Sequence, residues 1–333
     1  MTSVMQEAYS QDKASQNKAD PTKASQNLTL NELYRRCVQI ISTSSDTPTL
    51  DARIIAQNVL NVGLNSFILH FQDIVKPADV QRTLDLAQRR AQGEPVAYLV
   101  GHRGFYEEDF KVNSSTLIPR ADTEILVEEA IKQGLKIAQN AQQENKQELK
   151  ILDLCTGTGC VGISVAKALF KRFAKTTEYK TTEYRIKLTL SDLSKDALQV
   201  CKENAKKILG NIGLEDLEYE VLCGDLFERV AGKKFDLVLA NPPYIKTEVI
   251  QTLEEQVKRE PILALDGGAD GLALIKKLTS QAPEYLEKGG ALLLEIGYDQ
   301  GDAVKALFEK AGFTQVEVKK DLGGCDRVVK GAF

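Results

Sequence analysis

The stretch Phe235-Asp236-Leu237-Val238-Leu239-Ala240, which stops abruptly at Asn241-Pro242-Pro243-Tyr244, constrains the fold more than any other part of the chain. A short apolar run of this kind predicts a strand buried on both faces, as found in parallel sheets covered by helices. In such sheets ligands bind beyond the carboxyl ends of the strands, and that is where Asn-Pro-Pro-Tyr falls. Proline fixes its own φ and pushes the residue before it towards an extended conformation, so the turn is stiff and poor in donors. Asn241 offers a carboxamide oxygen and Pro242 a free carbonyl, a pair suited to the two hydrogens of a planar NH2 group. Pro243 completes the turn, and Tyr244 adds a ring face on which a planar group can lie. A site that accepts both N–H bonds holds the nitrogen and stabilises the positive charge that builds as it attacks an electrophile. The plainer alternative is a proline-stiffened strand exit that happens to begin with Asn.

Around this strand, elements alternate. Strands are predicted over Lys150 to Leu154, Ile186 to Ser191, Tyr219 to Cys223 and Ala291 to Ile296, with helices from Val161, from Ser194, after Thr247, from Gly271 and from Asp302. That order gives an α/β fold with a doubly wound, mostly parallel sheet. Gln315 to Val318 and Arg327 to Val329 lie too close together for a helical crossover. They complete seven strands as a C-terminal antiparallel hairpin at the sheet edge.

The rest of the chain divides by composition. Residues 1–27 are rich in Ser, Gln, Asn, Lys and Ala, repeat Lys-Ala-Ser-Gln-Asn, and are expected to be a disordered tail. Residues 28–99 show helical spacing, beginning with Leu30, Leu33, Tyr34, Cys37, Ile40 and Ile41 behind a cap at Thr29 or Asn31, and predict a small helical domain. An aromatic-rich alternation predicts a β-hairpin linker over 100–118, and residues 119–333 form the Rossmann-like domain. The tandem repeat Thr176 to Arg185 reads as a surface loop with no function.

Composition narrows the function. A net charge of −4 argues against a protein that coats nucleic acid, and no run reaches the roughly 18 apolar residues of a membrane span. Direct nucleic-acid or membrane binding is therefore not expected. Six scattered cysteines show no zinc spacing, and only His70 and His102 are available for a histidine-based site, so no metal is expected. Free thiols without a signal peptide point to the cytoplasm.

Ile151 to Leu154 runs into Cys155-Thr156-Gly157-Thr158-Gly159, and Gly162 completes a G-x-G-x-x-G match that is weak alone. Asp192 ends the next strand, where an acid can grip a ribose of either a dinucleotide or S-adenosylmethionine. Asp153 favours the second, because it would repel a pyrophosphate but attract a cation. The turn Gly224-Asp225-Leu226-Phe227 suits an adenine amine, although Asp225 could equally cap a helix.

These residues together resemble class I S-adenosylmethionine-dependent methyltransferases. More narrowly, Ile118 to Glu124, Asn-Pro-Pro-Tyr, Glu260-Pro261, Asp266 to Leu272, Glu295-Ile296-Gly297 with Gln300, and Asp321 to Gly324 with Asp326-Arg327-Val328 resemble the release-factor glutamine methyltransferases. The resemblance runs from about residue 30 to the C-terminus. It implies methylation of the side-chain amide (N5) of the glutamine in the Gly-Gly-Gln loop of peptide-chain release factors, in translation termination, with the helical domain docking the factor. It carries cofactor binding onto Cys155 to Gly159, Asp192 and Leu226, and substrate-amide binding onto Asn241, Pro242, Pro243 and Tyr244. Pro119-Arg120 is similar to an element that borders the methionine end of the cofactor. Cys155 stands where glycine is common. Asn-Pro-Pro-Tyr also occurs in adenine-N6 methyltransferases and in the methyltransferase of a large-subunit ribosomal-protein glutamine, so those substrates remain alternatives.

Overall fold

Thr29 caps the first helix by an exchange of hydrogen bonds: its hydroxyl accepts from the Glu32 N–H at 3.2 Å, and the Glu32 carboxylate accepts from the Thr29 N–H at 2.9 Å. This reciprocal cap settles two of the donors a helix start leaves unpaired. The computed structural model describes residues 27–143, 148–175, 185–212 and 217–333. The predicted tail up to residue 26 and the tandem repeat up to residue 184 lie outside the described residues. The chain divides into two compact units, one up to Gln92 and one from Gly93 to Phe333.

The first unit contains helices α1 (Leu30–Ile41), α2 (Pro48–Leu60), α3 (Leu64–Leu69) and α4 (Pro77–Ala91). α1 buries Leu30, Leu33, Cys37 and Ile41, the i, i+3, i+7 spacing read from the sequence. α3, only six residues long, is too short to leave a periodic signal. Between α2 and α4 lies a buried ion pair, Arg90 Nε to Asp51 Oδ2 at 2.7 Å, and the Ser45 hydroxyl donates to the same oxygen at 2.7 Å. Extra hydrogen bonds of this kind allow a charge pair to be buried.

The second unit opens with a short helix α5 (Val96–Val100) and the hairpin β1 (His102–Phe105) and β2 (Glu108–Lys111), with all four register pairs antiparallel. Helix α6 (Glu124–Gln143) leads to β3 (Glu148–Leu154), α7 (Cys160–Lys175), β4 (Arg185–Asp192), α8 (Lys195–Leu209), β5 (Leu217–Cys223) and β6 (Phe235–Ala240). Short helices α9 (Thr247–Ile250) and α10 (Glu255–Lys258) precede α11 (Ala273–Gln281), β7 (Leu286–Glu295), α12 (Gly301–Lys310), β8 (Thr314–Lys320) and β9 (Asp326–Ala332).

The seven strands run in the order β5-β4-β3-β6-β7-β9-β8, parallel except for β9, which is antiparallel to both β7 and β8. The hairpin predicted at the edge is present, with its second strand inserted beside β7. Every residue of β6 is buried. Leu237 and Leu239 face one apolar cluster, while Val238 and Ala240 face the other. The chain builds β3, β4 and β5 outward on one side, then returns to build β6 and β7 on the other. The border between β3 and β6 is thus the point where the strand order reverses, and a crevice opens there. Register aligns the strand ends on it: Leu154 pairs with Ala240 and Ser191, and Ala240 with Leu294.

Candidate active site

The loop after β3 takes its shape from backbone conformations that few side chains tolerate. Cys155, Gly157 and Gly159 all have positive φ, at 54°, 54° and 83°. For Cys155 this is a non-glycine residue in the left-handed region, which gives a physical reason why glycine suits that position. Gly162 has no room for a Cβ, which would lie 2.9 Å from the Asp153 side chain. The Asp153 Oδ2 accepts the Thr156 hydroxyl at 2.6 Å and the Gly162 N–H at 3.0 Å, so the carboxylate pins the turn from beneath. Its Oδ1 is buried with no hydrogen-bond partner among the described residues, and burial pushes the carboxyl up to about 7. An unsatisfied buried oxygen of this kind favours a donor or cation beside it.

The next strand end locks onto this loop. Asp192 Oδ2 accepts the Gly157 N–H at 2.8 Å, and its Oδ1 accepts the Ser194 N–H at 2.9 Å. A carboxylate has lone pairs beyond these two bonds, so Asp192 can still receive hydroxyls. Leu226, after β5, also sits at a positive φ of 46°. Asp225 is exposed, and the short turn that follows it takes no side-chain cap.

On the other side of the crevice, Asn241 leaves β6. Its Nδ2 donates to the Thr123 hydroxyl oxygen at 3.4 Å, which leaves the carboxamide oxygen as the acceptor on this side chain. Tyr244 is held at both ends. Its hydroxyl donates to Glu295 Oε1 at 3.2 Å, and its carbonyl accepts from Gln300 Nε2 at 3.1 Å. Behind the turn lies the Asp266 to Leu272 segment. Gly267 donates to the Ile245 carbonyl at 2.8 Å, and a Cβ on Gly271 would come within 2.5 Å of the Tyr244 carbonyl oxygen. Glycine at 267 and 271 is what allows this second layer to press directly on the Asn-Pro-Pro-Tyr backbone.

The segment before α6 is tied in by Glu260. Its Oε2 accepts the Ile118 N–H at 2.9 Å, and its other oxygen pairs with Arg120. Arg120 therefore finds its partner 140 residues away rather than in the adjacent Asp122 and Glu124. Burial raises the Glu260 carboxyl, and Arg120 opposes the shift.

Both sides meet in a cleft of about 390 Å³, within the range of small-molecule sites. Of the residues picked out by sequence, Cys155, Thr156, Gly157, Thr158, Asp192, Asp225, Leu226, Asn241 and Pro243 line it. Gly159, Pro242 and Tyr244 do not. The charged residues of the lining are the acids Asp153, Asp192, Asp225 and Asp266 against Arg120 and Lys277. That excess of carboxylates, with the orphaned Asp153 oxygen among them, fits a cationic cofactor such as S-adenosylmethionine and opposes a pyrophosphate.

Residues 32–101 match the PrmC N-terminal domain, and residues 128–260 match the methyltransferase small domain. A release factor glutamine methyltransferase of Agrobacterium fabrum is 36% identical over 283 residues, 85% of this chain and 89% of that protein. One from Caulobacter vibrioides is 37% identical over 86% of this chain and 90% of its own length. A third, from Salmonella typhimurium, is 34% identical over 87% and 94%. The chain belongs to the release factor glutamine methyltransferase family. It is a methyltransferase, and the resemblance read from its motifs is the family it falls in.

Within this methyltransferase, three residues of the site carried no assigned role from sequence. Glu295 and Gln300 were visible only as parts of a motif, and Thr123 as one letter in Asp-Thr-Glu. The available signal was Glu295 itself, a carboxylate closing the apolar run Ala291 to Leu294 where a buried strand should end in an apolar or small residue.

Proposed function

We propose that this protein transfers a methyl group to the side-chain amide nitrogen of a release-factor glutamine, the one in the Gly-Gly-Gln loop. Its methyl donor is S-adenosylmethionine, which supplies an electrophilic methyl on a sulfonium. The observation that carries the reading is the Asn241 side chain, whose nitrogen is committed to Thr123 at 3.4 Å and whose oxygen is left to accept from an NH2 group at the cleft. The second hydrogen is assigned to the Pro242 carbonyl, the next backbone acceptor after Asn241, although Pro242 is buried and lies behind the cleft lining. With both hydrogens held, the nitrogen lone pair is aimed and the charge developing on nitrogen is met by two oriented dipoles. Asp192 receives the ribose hydroxyls, and Asp153 and the Cys155 to Gly159 loop hold the methionine side. Leu226 and Asp225 border the adenine. An amide is a poor nucleophile, so rate comes from alignment rather than from a strong base.

The helical unit up to Gln92 supplies docking surface for the factor. It exposes Ile68, Leu69 and Ile74, at 62%, 81% and 58%, apolar side chains of the kind that partner surfaces cover. The enzyme acts in the cytoplasm, where release factors work.

The test is competition between substrate classes. Release factor, large-subunit ribosomal proteins, and DNA or RNA are offered together with labelled S-adenosylmethionine. Label in the release factor alone is expected; label in the nucleic acid or in a ribosomal protein at equal or greater yield overturns the reading.

A further inference from the structure

Large apolar side chains break the surface of the second unit unevenly. Among its described residues, Leu193, Val249, Ile262, Leu263, Tyr298 and Leu322 are exposed at the carboxyl end of the parallel strands, against Phe333 at the opposite end. Leu193 follows β4, while Val249, Ile262 and Leu263 lie in the connection after β6. Tyr298 follows β7, and Leu322 sits in the turn from β8 to β9. That turn belongs to the same end, because β9 is antiparallel to both β7 and β8. Leu193 and Leu263 line the cleft; Val249, Ile262, Tyr298 and Leu322 do not, so a small ligand in the cleft leaves them uncovered.

Tyr298 and Leu322 stand on turns that are locked from within. Behind Tyr298, which is 69% exposed, the Gly297 N–H donates to Gln300 Oε1 at 2.8 Å, and Gln300 Nε2 donates to the Tyr244 carbonyl at 3.1 Å. Leu322 is fully exposed, and Asp321 beside it closes the turn: its N–H donates to the Cys325 carbonyl at 2.8 Å, and its Oδ1 accepts the Cys325 N–H at 2.9 Å. Asp321 Oδ2 also pairs with Arg327 at 2.9 Å, and Arg327 reaches Asp122, the neighbour of Thr123, at 3.3 Å. The Arg327 carbonyl accepts the Ile296 N–H at 2.9 Å, so the two turns leave adjacent strands. An apolar side chain on a turn fixed in this way gives up little freedom when a partner covers it. Charges nearby are spent on one another, Lys320 with Asp326 at 2.6 Å and Lys246 with Asp299 at 3.8 Å.

We propose that Tyr298 and Leu322 form an apolar docking surface on the catalytic unit itself, outside the cleft, for the part of the release factor that surrounds its target glutamine. The inference rests on the reading of the release factor as substrate. A glutamine side chain is short, so an amide held at Asn241 brings the factor's backbone to the mouth of the cleft. The folded body behind that backbone then lies over the strand ends, where the two side chains stand. Tyr298 is anchored there through Gln300 to the turn that carries Asn241, and Leu322 through Asp321 and Arg327 to the segment that the Asn241 amide touches. The matching patch on the factor is apolar, since a Tyr ring and a Leu side chain carry no charge to pair and gain most from being taken out of water.

The experiment uses the full enzyme and intact release factor, and compares Tyr298→Ala, Tyr298→Phe, Leu322→Ala and Leu322→Asp with the parental chain. Steady-state kinetics at saturating cofactor gives kcat and the KM for the factor, calorimetry gives cofactor affinity, and sedimentation gives the oligomeric state. Tyr298→Ala and Leu322→Ala should each raise KM about 10-fold, the size of an anchor at a protein interface. Leu322→Asp should raise it further, and Tyr298→Phe, which keeps the ring, should stay near the parental value. Because neither side chain packs in the core or touches the reacting groups, kcat, cofactor affinity and melting temperature should hold in all of them. The ratio of variant to parental KM should not change with salt, since apolar contacts are not screened. Parental KM in both alanine variants overturns the proposal, and so does a loss confined to kcat or to cofactor affinity. A parental dimer that Leu322→Asp dissolves with KM unchanged gives the surface to a second copy of the chain and also overturns it. Failure of the parental enzyme to methylate the factor removes the reading of the substrate and this proposal with it; methylation of the factor with KM unmoved by the variants removes the proposal alone.

Discussion

The two sides of the cleft are built by different means. On the side of β3 and β4 the backbone does the shaping: positive φ at Cys155, Gly157 and Gly159, and carboxylates that accept N–H groups from residues 9 and 35 positions away. On the side of β6 and β7 side chains do it, through Asn241, Thr123, Glu295, Tyr244 and Gln300, joined across 118, 51 and 56 positions. A backbone-built cradle tolerates a ligand that varies little, whereas a side-chain lattice can fix one functional group in one orientation. The division matches the proposed roles, a cofactor used unchanged by many enzymes on one side and a substrate amide to be aimed on the other.

If this division is right, damage on one side should leave the other working. The largest effect belongs to Asn241→Ala. It should lower turnover by about 10²-fold or more, as for loss of one preorganised stabilising group, while cofactor affinity stays parental. Steady-state kinetics beside calorimetry decides it, and parallel losses in both would erase the comparison.

Asp192→Ala should do the reverse. Cofactor binding should weaken by about 1.5–3 kcal/mol, the worth of hydrogen bonds to a charged group, with kcat recovered at saturating cofactor. Because Asp192 also holds the Gly157 N–H, the loop after β3 should gain amide hydrogen exchange in the ligand-free variant. A kcat that stays depressed at saturation would show that the loop reaches the reacting group.

The smallest effect is a shared one. Burial pushes both Asp153 and Glu295 up to about 7, each held down in part by Thr hydroxyls. Their unfolded values lie near 4, so folding favours the protonated forms. That contribution to stability is fully present below about pH 4 and is lost as pH rises through about 7. Glu295→Gln should flatten the decline between these limits in ligand-free thermal melts. Paired surface carboxylates such as Glu317, whose shift is downward, act with opposite sign but are common to both proteins. Identical pH curves for the two would mean that Glu295 is not held near neutrality.

The same contrast explains what the sequence disclosed. The sheet was legible because β6 is a continuous apolar run and because β/α alternation leaves few topologies. The proposed cofactor side was legible because its parts are local: Asp153, the glycines and the strand-ending Asp192 lie on consecutive elements. Asn241 was legible through the prolines that follow it. Thr123 and Glu295 were not, since only the register of β6 and β7 sets Asn241 beside Glu295 and only the folded chain brings Thr123 to the Asn241 amide, 118 positions away. α5 was likewise hidden, because Val96-Ala97-Tyr98-Leu99-Val100 has strand-like residues and becomes helical under the fixed φ of Pro95 and the left-handed Gly101, φ 81°.

The Asn-Pro-Pro-Tyr turn is proposed to present acceptors to an NH2 group on a protein. The most direct measurement is fragmentation mass spectrometry of a release-factor digest after incubation with the enzyme and S-adenosylmethionine. A single methyl on the side-chain amide nitrogen of the Gly-Gly-Gln glutamine is predicted, absent when Asn241→Ala replaces the parental enzyme. A methyl on a lysine, a carboxylate or a backbone nitrogen would contradict it.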